Sequence, residues 1–307
     1  MHHAEVIDTF AEAFAMWATR VIITAATEEW AWAAAQSMVG FATSIIGCGC
    51  EAGIERTLPP NETPDERPGV SVLLFAMTVD DVHNHLVKRI GQCVLTCATT
   101  ACYNGLDGEQ TVNVGGQLRY FGDGFQISKR LEERRFWRIP VMDGEFLIEE
   151  QFGVQPAVGG GNLILMATSQ EEALRAATAA VRAIRRVSGV ILPFPGGIVR
   201  SGSKVGSHRY KFLHASTNDP YCPTLRGLVR DTRVPEGIQC VYEIVIDGLT
   251  LDSVRDAMQR GIIAAAEHGA RYITAGNYGG NLGQYRIPLR ELLEASAVFP
   301  ASAPDGG

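Results

Sequence analysis

Cys240-Val241-Tyr242-Glu243-Ile244-Val245-Ile246-Asp247-Gly248 is the stretch from which the fold can be read. β-Branched and aromatic residues dominate it, and Asp247-Gly248 supplies a turn at its end, so it reads as a strand. Side chains alternate along a strand, which puts Val241, Glu243 and Val245 on one face and Tyr242, Ile244 and Ile246 on the other. Both faces are otherwise apolar, as expected of a strand buried on two sides. Glu243 is then a carboxyl among hydrophobes, and burial tends to keep such a group protonated. A neutral carboxylic acid can donate a hydrogen bond or a proton. The alternative is an edge strand with Glu243 turned to water.

The same order of elements recurs on either side. After the strand, Thr250-Leu251-Asp252-Ser253-Val254 opens a helix to about His268, with Val254, Met258 and Ile262 on one face. Earlier, the strand Val70–Ala76 leads into Thr78-Val79-Asp80-Asp81-Val82, a helix with Val82, Leu86 and Ile90 at helical spacing. In the second half Leu163–Met166 is a strand, Ser169-Gln170-Glu171-Glu172 starts a helix, and Val190–Leu192 is a strand. In the first half an Ala-rich lead from Phe10 ends in the apolar run Val21–Ala25. Thr27-Glu28-Glu29 opens a helix to about Val39, and a second apolar run, Thr43–Ile46, follows. Residues 55–69, with four prolines, form a loop. Gly115–Phe152 reads as turns and strands that extend this half. The pattern predicts an α+β fold of duplicated ferredoxin-like (split βαβ) lobes, with antiparallel sheets and helices on one face. The lobes span 1–150 and 151–297, and 298–307 is expected to be a disordered tail.

A chain of 307 residues with 46% hydrophobic and 20% charged residues can bury a full core. No apolar run reaches the roughly 18 to 20 residues of a membrane span. The start, Met1–Glu5, lacks the features of a signal peptide, which predicts a cytoplasmic protein. A net charge of -7 argues against a nucleic-acid partner, since phosphate binding relies on clustered Lys and Arg. The seven cysteines are expected to be buried, reduced thiols. Cys48-x-Cys50 and Cys93-x3-Cys97 find no nearby pair to complete a zinc set, so no metal site is expected.

Three loops could carry chemistry. Pro193–Gly206 is rich in Gly and Ser and holds Arg200, Ser203 and Lys204, with Arg209 and Lys211 beyond; backbone N–H groups and cations suit an anionic ligand. Ser201-x2-Lys204 also matches a Ser/Lys nucleophile spacing. Ala215–Thr224 is polar and turn-rich and includes Asn218 and Tyr221. Ala275–Tyr285 packs four glycines, Asn277, Asn281 and Gln284 into a stretch that permits close backbone approach to a flat ligand.

Several stretches together resemble a known family, the formylmethanofuran–tetrahydromethanopterin formyltransferases. They are Arg67-Pro68-Gly69-Val70, Ile90-Gly91-Gln92-Cys93-Val94, Phe121-Gly122-Asp123-Gly124, Pro193-Phe194-Pro195-Gly196-Gly197-Ile198-Val199, Ala215-Ser216-Thr217-Asn218-Asp219, Val241-Tyr242-Glu243-Ile244-Val245 and Leu282-Gly283-Gln284-Tyr285. The resemblance runs from about Asp8 to Leu292. It implies a homotetramer without a prosthetic group or catalytic metal. The implied reaction moves a formyl group between a methanofuran-type amine and N5 of tetrahydromethanopterin, with Glu243 as the acid at the carbonyl oxygen. Carrier binding is expected at Phe121, Gly122, Asp123, Arg200, Ser203, Lys204, Asn218, Tyr221, Asn277 and Gln284, with Arg200 and Lys204 meeting carboxylates on the carrier tails. The resemblance also implies contact with other subunits of a formyltransferase/hydrolase complex. Two rival readings are a non-catalytic scaffold subunit of that complex and a Ser201/Lys204 amidohydrolase.

Overall fold

Two long strands set the architecture of this computed structural model, which describes residues 4–298; of the tail expected over 298–307, Val298 still belongs to the helix Leu289–Val298 and the rest lies outside the described residues. Phe10–Thr24 contains no Gly or Pro and stays extended for 15 residues, where a short strand after an Ala-rich lead was expected. Its start pairs with Tyr285–Pro288, its middle with Gln151–Ala167 and its end with Gly69–Ala76. Gln151–Ala167 does the converse, pairing first with Gln110–Asn113, then with Phe10–Thr24, then with Cys240–Gly248. Each long strand therefore leaves one core and enters the other. Ala11 and Ala13 pack with Leu163 and Ile244, whereas Val21 and Ile23 pack with Val72 and Ile148.

Among the described residues a 14-stranded sheet joins these elements. Glu5–Val6 runs parallel to Tyr272–Thr274, and Ala101–Asn104 parallel to Gly144–Glu149. The sheet is thus mixed, not purely antiparallel as expected, because the long excursion from Asn104 to Gly144 supplies the crossover that a parallel pair needs. The α+β class holds.

The repeated strand–threonine–helix signal is realised in both halves. Thr78 Oγ1 accepts from Asp81 N at 3.1 Å and starts Val79–Arg89. Thr250 and Ser253 form a reciprocal capping box at the start of Leu251–Glu267. Thr27 precedes Glu28–Val39 but makes no side-chain cap. In the second half, Gln170–Ile184 and Leu251–Glu267 lay Ala177, Met258 and Ile262 over Leu163, Ile244 and Ile246. One strand was misplaced by the sequence reading. Thr43–Ile46 leads into a short helix, Ile45–Cys48, which Ser44 caps, and the strand follows at Glu51–Leu58, inside part of the expected loop. Gly49, at φ +77°, makes the bend between them.

Candidate functional site

The Glu243 strand has two unlike faces. Tyr242, Ile244 and Ile246 are buried under the helices, while Val241, Glu243 and Val245 on the other face are half-buried. The expectation of burial on both sides is corrected here: the second face is covered by loops, which seal less well than a packed helix. The strand continues through Asp247 and Gly248, where a turn was expected, because Val190 and Ile191 pair with them.

Glu243 does not sit on a free edge. Ile164 is its partner across the ladder on one side. On the other, its N–H donates to Val199 O at 3.1 Å and its carbonyl accepts from Val199 N at 2.7 Å. The stretch Pro193–Val199 is folded for this return: Gly196 and Gly197 stand at φ +65° and +85°. A Cβ on Gly197 would lie 2.9 Å from Leu192 and 3.0 Å from Val181, so only glycine allows the turn to pack there. The result places Arg200 and Ser201 beside Glu243.

These residues line a cleft of about 160 Å³ with Ile164, Asn218 and Tyr221. Burial pushes the Glu243 carboxyl up to about 7, and among the described residues its side chain has no hydrogen-bond or ion-pair partner. A larger cleft of about 930 Å³ lies in the first half, but its buried Glu149 is already paired with Arg134 at 2.5 Å. The smaller cleft holds the uncompensated acid.

The other expected residues divide into three groups. Arg200, Asn218 and Tyr221 gather at the cleft, with Tyr221 buried against Ile164 and Met166. Ser203 is exposed and lies outside the cleft lining, and Lys204 is ion-paired with Asp219, which His208 approaches at 3.6 Å. That pairing ties up the Lys204 nitrogen, which would have to be a free amine to act as a base on Ser201. Asn277 and Gln284 hold their own loop: Asn277 Nδ2 donates to Phe10 O at 3.1 Å, and Gln284 Oε1 accepts from Ala15 N at 2.8 Å. Phe121, Gly122 and Asp123 sit in a turn packed near Pro140, in the first half and away from the cleft.

Sequence reasoning missed Glu12 and Tyr278. Glu12 is buried in Phe10–Thr24 and accepts four backbone N–H groups from the 278–283 loop. The signal was a lone acid in an apolar run, the same signal as at Glu243. All seven cysteines are unpaired; Cys50 and Cys102 are buried, and the other five are half-buried, not buried as expected. Among the described residues no group of three or more His, Cys, Asp or Glu is placed to hold a metal ion, and no helix is long and apolar enough to cross a membrane.

An α+β protein with an unpartnered carboxyl in a loop-walled cleft, biased by burial toward its protonated form, is equipped to donate a hydrogen bond to an acceptor such as a carbonyl oxygen. Known proteins narrow this class. Residues 1–141 match the family model described as formylmethanofuran-tetrahydromethanopterin formyltransferase, and residues 144–292 match the model of its proximal lobe. A formylmethanofuran–tetrahydromethanopterin formyltransferase of Methylobacillus flagellatus is 58% identical over 294 residues, covering 93% of this chain and 97% of that one. The solved enzyme of that name from Methanosarcina barkeri superposes with TM-score 0.90 at 47% identity, covering 95% of this chain and 99% of that chain. A chain of the Methylorubrum extorquens formyltransferase/hydrolase complex, solved with methylofuran, also gives 0.90, at 52% identity over 94% of this chain and 96% of that chain. The chain belongs to the formylmethanofuran–tetrahydromethanopterin formyltransferase family.

Proposed function

We propose that this chain transfers a formyl group between a methanofuran-type amine carrier and N5 of tetrahydromethanopterin, with protonated Glu243 as the acid. The observation that carries the reading is the Glu243 carboxyl, pushed up to about 7 by burial at the cleft. The names of its relatives, and methylofuran in one solved relative, support the choice of carriers.

The chemistry asks little else of the protein. The incoming amine nitrogen attacks the formamide carbon; a C–N bond forms and the carbonyl π pair moves to oxygen. Glu243 donates to that oxygen while it bears charge. Collapse re-forms the carbonyl and breaks the old C–N bond, and the departing nitrogen takes up the proton that the attacking nitrogen loses. No proton is consumed overall, so one acid that donates and recovers suffices, and no prosthetic group is needed. A preorganised donor at such an oxygen contributes roughly 3 to 4 kcal/mol, and alignment of two carriers can contribute on the order of 7 or more.

Arg200, Ser203, Lys204, Asn218 and Tyr221 are proposed to hold carriers on one side, and Asn277 and Gln284 on the other. Lys204 does so as a pair with Asp219, so its role is to shape the loop and present one N–H to an anion. Phe121, Gly122 and Asp123 would reach a carrier only across a contact between copies, which the proposed homotetramer supplies. The two halves are read as duplicated ferredoxin-like lobes, 1–150 and 151–297, in a cytoplasmic enzyme that also joins a formyltransferase/hydrolase complex. The purified chain is expected to transfer formyl between the two carriers, followed by pterin absorbance. No transfer with both carriers present would leave the scaffold-subunit reading in its place.

A further inference from the structure

Resting on transfer at Glu243, we propose that Tyr278 forms a second wall of the Glu243 cleft and contacts the carrier bound there. Glu12, in this proposal, is the positioning residue that holds Tyr278.

The 276–284 loop begins against Gln151–Ala167, the strand paired with that of Glu243. Asn162 clamps its start: Gly276 N donates to Asn162 Oδ1 at 2.6 Å, and Asn162 Nδ2 donates to Gly276 O at 3.1 Å. Asn162 and Ile164 stand on one face of their strand, two residues apart, opposite Val245 and Glu243 respectively. A Cβ on Gly276 would lie 3.7 Å from Ile164 Cδ1, and Ile164 lines the Glu243 cleft. The loop therefore lies over the same face as Glu243.

The loop is fixed from beneath by charge. Glu12 is 1% exposed, and its two oxygens accept from Tyr278 N at 2.7 Å, Gly280 N at 2.8 Å, Leu282 N at 2.5 Å and Gly283 N at 2.6 Å. Burial works to raise this carboxyl, but the four N–H bonds outweigh it and hold it below the usual value. The partners of Glu12 thus favour its ionised form, where burial favours the protonated form of Glu243. A carboxylate is the one side chain of this length that accepts at both oxygens without offering a donor. The glycines fit the same design, since a Cβ on Gly283 would lie 2.5 Å from Ala13 O and 2.7 Å from Glu12 Cγ.

What this anchored loop presents is Tyr278. Its backbone is fixed, yet the residue is 38% exposed, and its ring packs tilted against Phe14 with centroids 6.3 Å apart. Burial, then the negative charge that Glu243 carries once ionised and that of Glu12, push the phenol up. From the other loops Arg200, Tyr221 and Cys222 face the same cleft. A rigidly held, half-uncovered aromatic ring beside an acid suits a flat heteroaromatic carrier, pterin or furan.

The test compares Tyr278→Ala, Tyr278→Phe, Glu12→Gln and the Glu12→Gln/Tyr278→Ala double variant for KM and kcat with each carrier, alongside Glu243→Gln. Tyr278→Ala is expected to raise KM for one carrier about five- to ten-fold, with Tyr278→Phe close to the parent if the ring face makes the contact. Glu12→Gln is expected to raise the same KM, and the double variant to be no worse in that KM than Tyr278→Ala, because Glu12 acts through Tyr278. An unchanged KM for both carriers in Tyr278→Ala overturns the proposal, and so does an additive double variant. If Glu12→Gln does not fold, the Tyr278→Ala result decides alone. A dead Glu243→Gln beside an unaffected Tyr278→Ala sinks only this inference, whereas an active Glu243→Gln sinks the reading of the site itself.

Discussion

Glu55 and Glu243 are two carboxyls withdrawn from water, one bonded to Ser71 and the other standing where the repeat matches Ser71, and the chain treats them in opposite ways. Ser71 and Glu243 hold the same position relative to the capping threonines Thr78 and Thr250. In the first half every residue of Gly69–Ala76 is buried, and Ser71 spends its hydroxyl on Glu55 at 2.7 Å. Glu55 also accepts from Arg20 at 2.7 and 2.8 Å and from Gly189 N at 2.8 Å. Burial works to raise Glu55, and these partners outweigh it, so it is held below the usual carboxylate value. Glu243 has burial alone and is pushed up to about 7. The difference lies in what covers the strand. Where both faces meet packed elements, Glu55 is held ionised by an arginine, a hydroxyl and a backbone N–H. Where one face meets loops and a cleft, an uncompensated acid can stay neutral and ready to donate.

That contrast can be broken from either side. Glu243→Gln keeps the shape and removes the acid, and kcat is expected to fall about 10²- to 10³-fold while KM for the carriers and the far-ultraviolet spectrum stay near the parent. Near-normal turnover would show that Glu243 is decoration on its sheet. Arg20→Gln strikes the other carboxyl. It leaves Glu55, whose side chain is 3% exposed, with a charge and fewer partners. Unfolding in urea is expected to lose about 2 kcal/mol, below the usual cost for a buried pair because water still reaches Arg20. Activity per folded molecule should hold. A variant that loses activity and keeps stability would place Glu55 in the chemistry and dissolve the contrast.

Much of this was legible in the sequence, for reasons that are local. Thr78 and Thr250 announce their helices because a capping threonine acts within one turn. Glu243 stood out because an acid in an apolar strand breaks a period-2 pattern. Glu12 carried the same signature in Ala11-Glu12-Ala13, and its opposite charge state could not be read, because the N–H groups that ionise it come from the far end of the chain. The Lys204–Asp219 pair, the bonding of Val199 to Glu243 and the exchange of long strands between the cores are likewise tertiary facts. Thr43–Ile46 was read as a strand because its β-branched residues fit one. The cap from Ser44 and the left-handed Gly49 decided otherwise.

The smallest expected effect tests whether the open face costs stability. The native Glu243 value, about 7, lies above the 4.5 of an unperturbed glutamate, so between those two values the folded chain keeps a proton that the unfolded chain gives up. Protonation of Glu243 then favours folding fully below about pH 4.5, and that contribution is lost as pH rises to about 7. Glu55 has the reverse sign: its contribution is present above the unfolded value and is lost as pH falls through its lowered native one. Glu243→Gln, neutral at every pH, should therefore melt with the parent near pH 4.5 and above it near pH 8, by about 2 °C or more. Melting curves that coincide from about pH 4.5 to 8 would mean that Glu243 ionises as it does in water, and the acid in the cleft would lose its physical basis. If the curves part as expected, the group that makes the site chemically competent is also one that the fold would hold more cheaply as an amide.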